Sequence, residues 1–92
     1  MHRLKDSFRL QTIVKGFANH YRIDLLKLIN VRPGITVEDM SQSMKANYKT
    51  ISVHVRQLHS AGLVRKKYMR SSVHHRITKR GFMVLKFLGK LE

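Results

Sequence analysis

The chain has 92 residues, with 19 Lys and Arg against 5 Asp and Glu, a formal charge of +14, and no cysteine. A chain this short supports one core and buries only about 60 to 65 % of the surface its unfolded form exposes, so residues 1–92 read as one domain that a second subunit would help to stabilise. Disulfides and thiolate metal sites are excluded, and a charge far beyond what solubility needs points to a polyanionic partner, nucleic acid first.

Five helices and a hairpin can be placed in order. Ser7 is a candidate cap for a first helix with Phe8, Leu10, Ile13, Val14 and Phe17 as an approximate apolar stripe. A second helix starts near Asn19, carries Tyr21, Leu25, Leu28 and Ile29, and is stopped by "VRPG". In "TVED", Thr36 caps a short third helix that runs to about Met44, and "KAN" leaves room only for a tight turn. Asn47 caps the fourth helix, Tyr48 to Ala61, and Gly62 stands where a left-handed residue ends it. At about 100° per residue, Ile51, Val55 and Leu58 fall within roughly 60° of one another, with Lys49, Ser52, Val53 and Arg56 on the opposite side. Leu63 to Arg70 and Val73 to Ile77 form two strands around Ser71 and Ser72, with Val73, His75 and Ile77 on one face and His74 and Arg76 on the other. Thr78 caps a last helix that is apolar on nearly every side, which suggests a partner at that end.

No acid lies between Asp39 and Glu92, while Lys45, Lys49, Arg56, Arg65, Lys66, Lys67, Arg70, Arg76, Lys79, Arg80, Lys86 and Lys90 do. Regular apolar residues through the same span argue for a folded basic face over a disordered tail. No segment approaches the roughly 18 apolar residues of a membrane span, and residues 1–15 contain no continuous hydrophobic stretch. The expectation is a soluble, cytoplasmic chain associated with the nucleoid, with no membrane contact.

A short helix, a three-residue turn, a second helix with an exposed polar face and a basic hairpin describe a helix-turn-helix followed by a wing. The residues carry the same idea further. "ISVHVRQLHSAGLV" resembles the recognition-helix signature of the arsenic-repressor-like (ArsR) winged-helix regulators, through Ser52, His54, Val55, Leu58, Ala61, Gly62, Leu63 and Val64. "FANHYRIDLLKLI" is similar to the family's second helix, and "VHHRIT" to its second wing strand. Three features depart from the pattern. Thr36 and Glu38 replace the cysteines of the family's metal sensors, Lys45 replaces the glycine common in the tight turn, and Arg70, Ser71 and Ser72 occupy a wing tip where glycine is usual.

The expected fold is a mainly α (α+β) winged helix-turn-helix, and the expected function is a sequence-specific regulator of transcription, a repressor, on double-stranded DNA. Tyr48, Lys49, Thr50, Ser52, Val53 and Arg56 are the candidates to enter the major groove from helix 48–61. Lys67, Arg70, Ser71, Ser72, His74 and Arg76, on a wing spanning 65–77, are candidates for backbone or minor-groove contacts. Phe8, Phe82, Leu85 and Leu88 are the candidates for a homodimer interface built from the first and last helices. His54 and His75 read as packing residues, and His20 with Asp24 supplies two donors where a site needs more, so no metal or other cofactor is expected. The scattered acids and the absence of cysteine give no catalytic constellation, and the chain is not expected to be an enzyme. An architectural or chromatin protein that tolerates any DNA sequence, and a winged-helix module that binds protein or RNA, remain as alternatives. Neither operator nor effector is legible.

Overall fold

The computed structural model of the protein describes residues 3–92, with side chains from Asp6 onward. Its elements are α1 (Arg3–Phe17), α2 (His20–Val31), α3 (Val37–Met44), α4 (Tyr48–Ser60), β1 (Val64–Met69), β2 (Ser72–Ile77) and α5 (Lys79–Gly89). Four helix starts are held by side-chain caps, three of them (Thr36, Asn47 and Thr78) at residues predicted as caps and the fourth at Asn19, predicted only as the approximate start of its helix. The Asn19 side chain accepts from the amides of Tyr21 and Arg22, Thr36 from Asp39, Asn47 from Lys49 and Thr50, and Thr78 from Gly81. Each such cap contributes about 1 kcal/mol by occupying a helix amide that has no partner within the helix.

The first helix differs from expectation. It begins at Arg3, so Ser7 lies exposed inside it and caps nothing. Arg, Leu and Lys ahead of Ser7 are good helix formers, and Asp6 in the first turn suits the positive end of the helix dipole. The hairpin is also narrower than read: β1 starts at Val64, and Ser72 belongs to β2, closing the ladder opposite Met69. The turn is therefore Arg70–Ser71, and Arg70 takes the positive φ of 56° on which the reversal depends.

Leu25, Leu26 and Ile29 of α2, Met40 of α3, and Ile51, Val55 and Leu58 of α4 form the core with Leu63 and Val64. The apolar face predicted for α4 is the one that packs. Two glycines permit the arrangement. A Cβ on Gly16 would collide with the Ala61 side chain, so α1 can approach the end of α4 only because Gly16 lacks one. Gly62, at φ +77°, turns the chain out of α4 into the hairpin.

A long-range pairing absent from the local pattern ties the hairpin down. Ile35, in the loop between α2 and α3, bridges His75, with Gly34 N–H donating to the His75 carbonyl at 2.8 Å and His75 N–H to the Ile35 carbonyl at 3.0 Å. His75 itself is only 1 % exposed, and its Nδ1–H donates to the Ile35 carbonyl at 3.0 Å. The hairpin is thereby fixed to the loop that leads into α3.

Candidate nucleic-acid interface

The turn between α3 and α4 is Lys45, Ala46 and Asn47, and it is closed from both sides. Lys45 is left-handed at φ 52°, Ala46 N–H donates to the Ser41 carbonyl at 3.0 Å, and Ser41 Oγ donates to the Ala46 carbonyl at 2.6 Å. Asn47 then starts α4 at once. With Ile51, Val55 and Leu58 buried, the helix presents Tyr48, Lys49, Thr50, Val53 and Arg56 outward, and Ser52 lies half-buried beside them.

His54 orients that helix from the other side. Arg22 Nε donates to His54 Nδ1 at 3.2 Å, while Arg22 Nη1 donates to the Lys15 carbonyl at 2.6 Å, so one guanidinium joins α1, α2 and α4. Tyr21 stacks on the His54 ring with centroids 5.3 Å apart. Burial first, then the charges of Arg22 and His20, hold the His54 pKa below its ordinary value, so the neutral ring is the one that accepts from Arg22.

Strand alternation gives the hairpin two faces. Lys66, Tyr68, Val73 and His75 look toward α4 and share with Thr36, Glu38, Tyr48, Ser52 and Arg56 an open cleft of about 370 Å³. Arg65, Lys67, Met69, His74 and Arg76 line a separate concavity of about 570 Å³ on the other side. Arg70 and Ser71 are exposed at the tip. The predicted wing residues are therefore not one surface: Ser72 lines the α4 cleft, Lys67 and Arg76 lie exposed on the far side, and His74 is half-buried there. The His74 Nδ1–H is also committed, donating to the Gly34 carbonyl at 2.6 Å. Arg65, Lys66 and Tyr68 went unselected in the sequence. The signal that could have found them is the period-2 alternation of β1, which its run of cations hides from a hydrophobicity pattern.

A three-residue turn between α3 and α4, an outward polar face on α4 and a hairpin flush against it decide the architecture. The fold is a winged helix-turn-helix. No protein-family model matches the chain, and no curated protein matches it in sequence. Solved structures do match. HlyU from Vibrio cholerae in its reduced form superposes with a TM-score of 0.82 at 19 % identity, covering 99 % of this chain and 97 % of that one. The homodimeric winged helix-turn-helix DNA-binding domain of Mb0332 from Mycobacterium bovis, a possible ArsR-family transcriptional regulator, gives 0.82 at 22 % identity over 97 % of this chain and 82 % of that one. The multiple antibiotic-resistance repressor MarR from Listeria monocytogenes gives 0.71 at 21 % over 92 % and 59 %. The resemblance to ArsR-type regulators read from the α4 signature thus has its counterpart in the backbone.

Around this winged helix the terminal helices leave apolar surface in solvent. Phe8, Leu10 and Val14 of α1 and Phe82, Met83 and Phe87 of α5 are all exposed, at 72 % for Phe8. Of the four predicted interface residues, Phe8 and Phe82 are exposed, while Leu85 and Leu88 are half-buried against the core. Both helices pack on α2. Among the described residues, no helix of the winged helix is long and apolar enough to cross a membrane.

Proposed function

We propose that this winged helix is a DNA-binding transcriptional regulator that binds duplex DNA as a homodimer and represses by occupying a promoter. The observation that carries the proposal is the outward face of α4, where Tyr48, Lys49, Thr50, Val53 and Arg56 stand free of the core beside a hairpin without a single acid. An α-helix fits the major groove of B-DNA. There Arg56 bonds guanine, Tyr48, Thr50 and Ser52 meet base edges or phosphate, Lys49 meets phosphate and Val53 touches a thymine methyl. Arg70 and Ser71 at the tip, with Lys67, Ser72, His74 and Arg76 behind it, contact backbone or minor groove.

The relatives support this reading, since the Mb0332 fragment is described as homodimeric, DNA-binding and a possible transcriptional regulator, and the Listeria protein as a repressor. Two-fold symmetry then sets two half-sites about one helical turn, ~34 Å, apart. Such a protein works in the cytoplasm, on the nucleoid. Selection of bound sequences from a random duplex pool tests the proposal. A regulator enriches one pseudo-palindrome and keeps it against random competitor by a factor of roughly a thousand or more at fixed salt. Enrichment of no sequence, with tight binding at low salt only, would sink the regulator in favour of a sequence-tolerant architectural protein.

A further inference from the structure

Arg22 lies where three helices meet. Its Nη1 donates to the Lys15 carbonyl at 2.6 Å and to the Gly16 carbonyl at 3.4 Å, which sets a cation on the last turn of α1, at the negative end of the helix dipole. Its Nε donates to His54 Nδ1 at 3.2 Å, and Tyr21, itself stacked on His20 at 4.7 Å, stacks on the half-buried His54 ring. A guanidinium only donates, and it keeps its charge at any pH at which a protein folds. The bond to α4 therefore exists only while His54 Nδ1 carries a lone pair. A proton there sets donor against donor and cation against cation. The groups that face the ring make this worse: α2 turns Arg22, His20 and Tyr21 toward it, α1 reaches it through Arg22, and among the described residues no carboxylate is one of the charges that shift it. Burial first, then Arg22 and His20, keep its pKa below the ordinary 6.5, so the bond is whole above that value and is lost as pH falls toward the lower folded one.

We propose that Arg22 is a positioning residue for the reading of DNA, acting through the neutral His54 ring, and that a proton on this ring loosens the seating of α4 so that acid weakens the hold on the duplex. The proposal rests on the DNA-binding reading above. Ile51, Val55 and Leu58 keep α4 on the core after the bond is gone. Apolar packing has no direction, however, whereas hydrogen bonds to base edges weaken steeply with distance and angle. The consequence is a folded protein that reads DNA less well.

The experiment measures affinity for the selected duplex at about pH 7.5 and about pH 5, on either side of the ordinary histidine value, with helical circular dichroism recorded at both. His54→Asn puts an amide oxygen near the place of Nδ1, where it accepts from Arg22 and does not titrate. The other histidines gain charge in both proteins and strengthen binding alike, so the wild type is read against this variant. On going to the lower pH the wild type should lose roughly fivefold or more in affinity relative to His54→Asn, without loss of helix. Arg22→Gln should bind more weakly than the wild type at the upper pH and show no excess loss at the lower. Because such coupling is reciprocal, saturation of the wild type with duplex should shift the titration of the His54 ring, followed by NMR, to lower pH. Parallel profiles for wild type and His54→Asn, a loss of affinity that tracks loss of helix, or a His54 titration that duplex does not move overturns the proposal. A wild type that binds no duplex at either pH overturns instead the DNA-binding reading beneath it.

Discussion

Lys45 and His75 each hold a conformation or a charge state that their residue type resists, and both can be tested singly. Lys45 is left-handed in the turn before α4, a region that costs an L-residue with a Cβ about 1–2 kcal/mol and glycine almost nothing. Lys45→Gly is expected to raise stability by about 0.5–1 kcal/mol once the entropy of glycine in the unfolded chain is set against the relief, read as a higher urea midpoint with unchanged slope. His75 runs the other way. Burial is the first cause that lowers its pKa, with Lys66, His59 and His74 adding to it and the bond to Ile35 opposing. The unfolded chain therefore takes up this proton first as pH falls. Stability is full above the ordinary value of 6.5 and is lost as pH drops toward the lower folded value. His54 has the same sign, again with burial as first cause. The urea midpoint should be lower at about pH 5 than at about pH 7.5, and His75→Gln should reduce the difference; a wild-type midpoint that does not move with pH refutes the account. Some of this scale is legible in sequence, because a cap such as Asn47 or Thr36 acts on amides two or three residues away. The pairing of His75 with Ile35, forty residues apart, has no local signature at all.

At the scale of elements, α4 is the piece whose loss of one side chain should read as lost specificity. If Arg56 bonds a guanine, Arg56→Ala costs about 1–3 kcal/mol on the selected site and relaxes preference at one base pair, whereas Lys67→Gln weakens all sequences alike and lowers the salt slope by about 0.9. A binding profile in which Arg56→Ala behaves as Lys67→Gln would take Arg56 off the bases. The seating of α4 against α1 depends on Gly16. Alanine there drives a methyl into Ala61, an overpacking cost of about 1–3 kcal/mol that exceeds the gain of up to ~1 kcal/mol in helix propensity. Gly16→Ala should therefore destabilise by about 1–2 kcal/mol, and the added change Ala61→Gly should recover part of it. The two faces of α4 could be read in advance because a 3.6-residue period and a capping Asn agree over a full helix. The start of α1 could not: a serine caps a helix only where the chain before it is not helical, and Arg3 to Asp6 favour helix. In the hairpin, three consecutive cations from Arg65 to Lys67 give no hydrophobic contrast, so β1 shows no clear faces until its register with β2 is known.

For the whole molecule, the proposed reading of DNA and the proposed pairing of subunits fall on different elements. The cations of the hairpin and the polar face of α4 belong to other elements than the exposed apolar residues of α1 and α5, which a 92-residue chain with a modest core leaves in water. Exposure of that many large apolar groups is unfavourable at roughly 25 cal/mol per Å², and in the proposed homodimer burial against a second copy would remove it while setting two α4 helices on one face of the duplex. Phe82 tests the point without harming the protomer, since it is 48 % exposed and lies outside the core. Its replacement by Glu stands one turn before Lys86, whose Nζ already sits 5.9 Å from the Phe82 ring, so the new side chain can pair at i,i+4 and keep the helix. Phe82→Glu is expected to give a folded monomer by sedimentation at micromolar concentration. Its affinity for the two-half-site duplex should fall by roughly a hundredfold or more, because the second half-site is no longer bound intramolecularly, while binding to a single half-site changes little. A variant that stays dimeric would move the interface off this face of α5, and a wild type that is itself monomeric would leave the winged helix to read one half-site alone.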